Sequence, residues 1–238
     1  AKVKLALKTK LTEKQMEAFG PKLRRRALVL AKQENARFAA QVKGIVDDIL
    51  SGTETHGGAV NKLRDWLDAT DYKPEKPGTI EDLGSNARLK LIVQTEVRMH
   101  EGYAEWKQGQ NSGVLAVWPA QELYRAEDRV EPRDWPERWR EHGGQFFSGH
   151  SDYPEGRMIA LKSDPIWHLI SRFGNPWPPF DFNSGMGVRD VDRDEAESLG
   201  LIQRGEIVPA SLDELDDDVP FPDGMPDDIE RELRRELA

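Results

Sequence analysis

Asn175-Pro-Trp-Pro-Pro-Phe-Asp-Phe-Asn-Ser-Gly-Met-Gly-Val-Arg189 is the stretch that decides how the rest of the chain is interpreted. Its three prolines exclude a helix or a central strand, because proline has a fixed φ and lacks the backbone N–H. Its aromatic residues Trp177, Phe180 and Phe182 carry more apolar surface than a solvated linker exposes. This stretch, the proline arm, is therefore predicted to be rigid and extended, and held on a core by its aromatic rings.

The composition is that of a chain with one good hydrophobic core or two small ones. It has 238 residues, 37% of them hydrophobic, and contains seven tryptophans. No apolar run approaches the roughly 20 residues of a membrane span, so no membrane partner is expected. The absence of cysteine excludes disulfides, thiolate zinc sites and cysteine nucleophiles. A cytoplasmic origin is the default expectation.

The two ends of the chain carry opposite charge. Residues 1–43 hold 12 Lys and Arg against 3 Asp and Glu, whereas residues 190–238 hold 5 against 17. This asymmetry favours separate partners, or copies of the chain that meet head to tail, although simple solvation of both ends explains it equally well. The basic residues that can contact a partner or DNA phosphates are Lys2, Lys4, Lys8, Lys10, Arg24, Arg25 and Arg26. Such DNA contact would be non-specific.

The hydrophobic periodicity predicts an α+β protein, with N-terminal helices followed by a loop-rich mixed domain that contains a small β-sheet. Helices are predicted over residues 22–50, 61–69, 86–108, 135–142 and 194–199, and one starts at Pro165. Strands are predicted over residues 114–118, 158–161 and 188–191. Three regions result: a helical N-terminal region over 1–70, a mixed domain over 85–192 and an acidic, partly flexible tail over 193–238.

Candidate catalytic groups are few. His142, His150 and His168 share one region and can be combined into a metal site, but none has a recognised zinc spacing. Glu195 and Glu197 have the Glu-x-Glu form of some ADP-ribosyltransferases. The sequence has no nucleophile elbow, phosphate-binding loop or dinucleotide fingerprint. We therefore assign no catalytic, cofactor-binding or metal-binding residue and expect no enzyme activity and no cofactor.

Several polar motifs follow one another in a fixed order along the chain. Thr95-Glu96 lies on the predicted helix over residues 86–108, and Asp128-Arg129, His142-Gly-Gly and Pro178-Pro179-Phe180-x-x-Asn183 come later. In this order and spacing they resemble the phage Mu F-type minor head protein, also called the phage head morphogenesis domain. The resemblance covers about residues 45–192. Where that family has Asn-Cys-Arg-Cys, this chain has no cysteine, and Asp181 replaces the family's histidine.

The resemblance implies a minor structural protein of a phage or prophage head. Its expected partners are portal and capsid proteins, and it would be located in the procapsid or virion, and in the host cytoplasm during assembly. Residues 1–70 would then be a docking region. Association of several copies into a homo-oligomer is compatible with this role. The motif residues Thr95, Glu96, Asp128, Arg129, His142, Pro178, Pro179 and Asn183 would fasten a loop-rich core. The alternative is a virion-delivered enzyme, either an ADP-ribosyltransferase or a metal-dependent hydrolase.

Overall fold

The computed structural model describes residues 36–70, 72–74, 77–79 and 82–211. Within them, seven helices and one four-stranded sheet form two compact units, and the chain passes from the first to the second between His100 and Glu101. The predicted α+β class is confirmed. No helix in these ranges is long and apolar enough to cross a membrane.

Three helical segments build the described part of the first unit. They are α1 (Ala36–Leu50), α2 (His56–Ala69) and the part of α3 (Asn86–Gly109) that precedes Glu101. Thr55 caps α2, because its hydroxyl accepts a 3.0 Å hydrogen bond from the Gly58 N–H. Apolar residues at helical spacing bury one face of each helix. The core consists of Phe38, Val42, Ile45, Val46, Ala59, Val60, Leu63, Leu67, Leu89, Ile92, Val93 and Val97.

The helix predictions for this unit are confirmed in type, with shifted boundaries. α2 begins at His56 rather than at residue 61, because Thr55 caps it there. α1 is the described part of the helix predicted over residues 22–50, and residues 22–35 lie outside the described ranges. The predicted second domain starts with α3, whereas the two compact units divide inside that helix.

The second unit is built on an antiparallel sheet with strand order β2-β3-β1-β4. The strands are β1 (Ala120–Arg125), β2 (Phe146–Phe147), β3 (Arg157–Leu161) and β4 (Met186–Val191). Four short helices accompany them: α4 (Ser112–Val117), α5 (Trp135–Glu141), α6 (Ile166–Leu169) and α7 (Arg193–Ser198). β1 is central, since Glu122 lies opposite Ile159 of β3 and Arg189 of β4. The strands predicted at 158–161 and 188–191 are confirmed.

The strand predicted over residues 114–118 is wrong, since most of this run forms α4. Asn111 caps that helix by accepting a 2.9 Å hydrogen bond from the Gly113 N–H, and Pro119 follows it. A short apolar run is compatible with either a helix or a strand, and here the cap decides between them. The strand starts directly afterwards, at Ala120, in a stretch for which no strand was predicted.

Both faces of the sheet are covered by apolar residues. Leu123, Met158 and Met186 point to a tryptophan-rich cluster, whereas Ala120, Ile159 and Val191 point to the opposite face. The first face packs against Trp135, Trp139, Ile166, Trp167, Ile170 and Phe180. The second packs against Ala196, Leu199, Leu201, Ile202 and Val208. Residues 193–208 of the predicted tail therefore belong to the folded unit, and residues 212–238 lie outside the described ranges.

The proline arm lies on α3 through its tryptophan, as its composition predicts. The Trp177 ring is 4.9 Å from that of Tyr103 and 5.0 Å from that of Trp106, measured between centroids, and Trp177 is buried. The Pro178–Pro179 peptide bond is cis. Phe180 is also fully buried, and its ring stacks on that of Trp167 at 6.0 Å. The arm therefore joins the helix to the cluster beneath the sheet.

Gly102→Ala tests the close approach of the arm to α3. A Cβ at Gly102 would lie 1.9 Å from Pro178 O and 3.1 Å from Trp177 Cδ1, so the arm would have to move. We expect a loss of about 1–3 kcal/mol in the free energy of unfolding, measured by urea denaturation, although alanine is the better helix former.

Gly44→Ala on α1 is the matched control, because a Cβ there meets no atom within 4 Å. Its helix propensity alone should raise stability by up to about 1 kcal/mol. Equal stability of Gly102→Ala and the unmutated protein would show that the arm is not held against the helix.

Candidate functional site

The motif residues are distributed over both units. Thr95 and Glu96 are buried on the part of α3 that belongs to the first unit. His100 is buried one turn further on, and its Nδ1 lies 2.8 Å from Glu96 O, so it is a hydrogen-bonded core residue. Asp128, Arg129, His142 and Asn183 belong to the second unit. Of these four, the structure brings Arg129 and Asn183 together.

Arg129 ties the exit of the proline arm to the segment that follows β1. Its Nε donates a 3.1 Å hydrogen bond to Asn183 O, and its Nη2 pairs with Glu127. Asn183 has a φ of 50°, in the left-handed region that asparagine tolerates better than most residues. The N–H groups of Ala126 and Glu127 both donate to Gly185 O, at 2.9 and 3.0 Å. These bonds fix the turn that leads into β4.

A second tie lies directly upstream, where Asp181 is buried beneath three arginines. Arg138 donates to Asp181 Oδ2 through Nη1 and Nη2, both at 3.3 Å. Arg133 Nε lies 3.3 Å from the same oxygen, and Arg172 Nη1 lies 3.7 Å from Oδ1. The backbone N–H of Phe182 donates to Oδ1 at 2.8 Å. We call Asp181, Arg133, Arg138 and Arg172 the Asp181 cluster.

Two further hydrogen bonds anchor the Asp181 cluster to the backbone. Arg133 Nη2 donates to Phe182 O at 2.8 Å, and Arg138 Nη1 donates to Ile170 O at 3.2 Å. The arm is therefore fastened by guanidinium groups at Asp181, Phe182 and Asn183 in succession. Asp181 stands out in the sequence as a departure from the motif pattern that the chain resembles, but none of these three arginines was predicted as its partner.

A second buried carboxylate lies in the middle of the sheet. Glu122 accepts hydrogen bonds from Arg157 Nη2 at 2.7 Å and Nε at 3.0 Å, and from Arg189 Nη2 at 2.8 Å and Nε at 3.0 Å. Arg157 also pairs with Glu195 of α7. We call Glu122, Arg157, Arg189 and Glu195 the Glu122 cluster. Its formal charges cancel, with two guanidiniums and two carboxylates.

The ionisation of Glu122 reflects these contacts. Burial alone raises the pKa of its carboxyl, but the hydrogen bonds from Arg189 and Arg157 outweigh burial and bring the pKa below its ordinary value of 4.5. The same hydrogen bond to Glu122 raises the pKa of Arg157 and that of Arg189. Glu122 is thus ionised at neutral pH, and its ionisation is linked to folding.

The residues named for the enzyme alternatives have other contacts. The His168 Nδ1 lies 2.8 Å from Gly174 O, and His142 and His150 are exposed. The described residues contain no group of histidine and acidic side chains arranged to hold a metal ion. Glu195 pairs with Arg157, and Glu197 pairs with Arg193 at 3.6 Å. Lys2, Lys4, Lys8, Lys10, Arg24, Arg25 and Arg26 lie outside the described ranges.

Comparison with protein families, with curated proteins and with solved structures finds no match for this chain. The role of the two clusters must therefore be inferred from their geometry. Both hold distant segments of chain together through charge-assisted hydrogen bonds, which are about twice as strong as neutral ones. They differ in charge, since the Glu122 cluster is neutral whereas the Asp181 cluster combines three guanidiniums with one carboxylate.

Glu122→Gln tests the ion network of the sheet. The substitution removes the carboxylate that both guanidiniums share and leaves Arg157 with Glu195 alone, so we expect a loss of about 3 kcal/mol in the free energy of unfolding at pH 7. Because the pKa of Glu122 is lower in the folded state, its stabilisation is present above about pH 4.5 and is lost as the pH falls through the folded-state value. Urea denaturation between pH 7 and pH 3 should therefore show a shallower acid dependence for the variant.

Glu137→Gln is the control, because Glu137 pairs with Arg140 on the surface and both side chains are about half exposed. Exposed pairs contribute little, so we expect a change below about 0.5 kcal/mol. If Glu122→Gln and Glu137→Gln lose the same free energy of unfolding and show the same dependence of stability on pH, the buried network does not stabilise the sheet more than a surface ion pair does.

Proposed function

We propose that this chain is a minor structural protein of a phage or prophage head, which takes part in the assembly of capsid and portal. The support from the sequence is the ordered set of motifs that resembles the head morphogenesis domain. The observation that carries the proposal is the tie between two of these motifs. Arg129 of the Asp-Arg motif donates to the backbone of Asn183, which ends the proline motif, over a separation of 54 residues.

The contacts of the motif residues favour a structural role over a chemical one. Arg129 is engaged with Asn183 and Glu127, and Pro178 approaches the backbone of α3 at Gly102. Asp181, which takes the position of the family's histidine, accepts hydrogen bonds from Arg138 and from the Phe182 N–H. Each of these contacts fixes the path of the chain. A rigid module of this kind suits a protein that occupies a defined place in a particle.

Charge provides the second line of support and favours the basic end as the docking element. Residues 1–35 hold ten Lys and Arg against three Asp and Glu, whereas residues 212–238 hold three against eleven. Opposite charges at the two ends can direct the chain to different surfaces of an assembling particle. We assign docking on the portal to the basic end, and we place the acidic end away from that contact.

Purification of heads from the phage or induced prophage that encodes this chain tests the proposal. We expect the chain to sediment with the portal and major capsid proteins in the procapsid fraction, where mass spectrometry would identify it. If the chain stays with the soluble proteins while procapsids form at a normal level, it is not a head component.

Deletion of residues 1–35 tests the docking assignment and removes no residue of a described helix or strand. In a pull-down on tagged portal protein, we expect this deletion to reduce recovery at least about tenfold, as expected if the contact contributes 1.4 kcal/mol or more. Deletion of residues 212–238 is the control of similar length and opposite charge, and it should leave recovery unchanged. Equal recovery after both deletions would contradict docking through the basic end.

A further inference from the structure

The Asp181 cluster carries more positive charge than its single carboxylate neutralises. Asp181 is 2% exposed, and both its oxygens already accept hydrogen bonds, Oδ2 from Arg138 and Oδ1 from the Phe182 N–H. Arg172 adds no hydrogen bond to the carboxylate, since its nearest nitrogen lies 3.7 Å away. Three guanidiniums and one carboxylate leave two positive charges uncompensated within the cluster. Repulsion between like charges that converge on one carboxylate is unfavourable unless a further anion joins them.

The side chains of the cluster are accessible from solvent although the carboxylate is not. Arg172 is 59% exposed, Arg133 is 38% exposed and Arg138 is 30% exposed. In the described part of the chain, no hydrogen bond uses Nη1 of Arg133, or Nε and Nη2 of Arg172. The Arg172 guanidinium lies 5.7 Å from the centre of the Phe182 ring, which limits the directions in which it can point. The cluster thus presents oriented N–H donors to solvent.

From this geometry we infer that the Asp181 cluster binds a phosphate group. Guanidinium groups match the oxygens of phosphate with paired, charge-assisted hydrogen bonds, and a dianion would neutralise the two excess charges. Arg172 and Arg133 would contact the phosphate directly, while Asp181 and Arg138 would hold them in position from below. The phosphate can be a free ion, or a phosphodiester of a nucleic acid, which is a monoanion and would neutralise one of the two charges. The inference goes beyond the proposed head function and does not depend on it.

The Glu122 cluster provides an internal comparison. It also contains an exposed arginine, since Arg189 is 47% exposed, and that arginine also contacts a buried carboxylate and an aromatic ring. Its guanidiniums, however, are matched in number by Glu122 and Glu195. Exposure of an arginine beside a buried carboxylate is therefore common to both clusters, and excess charge is what distinguishes the Asp181 cluster. Phosphate should bind to the Asp181 cluster and not to the Glu122 cluster.

The test compares Arg172→Gln with Arg189→Gln in the full chain. Inorganic phosphate is titrated by calorimetry against chloride at constant ionic strength, and a single-stranded oligothymidine is titrated by fluorescence anisotropy. We expect saturable binding by the unmutated protein, about tenfold or more weaker in Arg172→Gln and unchanged in Arg189→Gln, since loss of a charged hydrogen bond has an effect of this size. Arg172→Lys keeps the charge without the fork and should bind with intermediate affinity.

Each outcome either supports or overturns the inferred phosphate site. Phosphate binding with this variant pattern supports a site for the free ion, and oligothymidine binding alone with the same pattern supports a nucleic acid as the source of the phosphate. Absence of binding by both probes overturns the inference. So does binding that Arg172→Gln and Arg189→Gln weaken equally, because general electrostatic attraction would then explain it. Circular dichroism spectra identical to those of the unmutated protein confirm that each variant is folded.

Discussion

The carboxylate of Glu122 is the group on which the arrangement of the second unit depends. It lies in the central strand and receives two hydrogen bonds from the guanidinium on each neighbouring strand. A buried carboxylate without such partners would be strongly unfavourable, so the sheet is stable when β3 and β4 are both in register with β1. A slip of one residue would turn Arg189 to the opposite face and remove half of these bonds. The network therefore selects the register.

The register in turn determines which side chains each face of the sheet packs against. With Glu122 opposite Ile159 and Arg189, the neighbouring residue Leu123 lies opposite Met158 and Val188 on the other face. This face packs on the tryptophan-rich cluster that also receives Phe180 of the proline arm. The arm continues from there into Asp181 and its arginines. A single buried charge in the sheet thus helps to determine the path of a loop more than 50 residues away in sequence.

The sequence was sufficient for the features that depend on local patterns. The apolar stripe of α3 and the aromatic character of the proline arm could both be predicted, because the residues that form each of them are close together in the chain. β1 was not predicted, since a charged residue at the centre of a strand argues against burial unless its partners are known. The two arginine partners of Glu122 are 35 and 67 residues away in the chain. Of the arginines around Asp181, Arg138 is 43 residues away and Arg133 is 48 residues away. Contacts between residues so far apart in the chain leave no local pattern in the sequence from which they could be predicted.

The two units differ in the kind of interaction that holds them together. The first has a continuous apolar core of helix residues, whose contribution is insensitive to pH. The second combines apolar clusters with two ion clusters that fasten its loops and sheet, and the pKa of Glu122 ties one of them to folding. Protonation of Glu122 removes the charge that compensates Arg157 and Arg189, while the helix core is unchanged. Acid should therefore weaken the second unit through the carboxylate that holds its central strand.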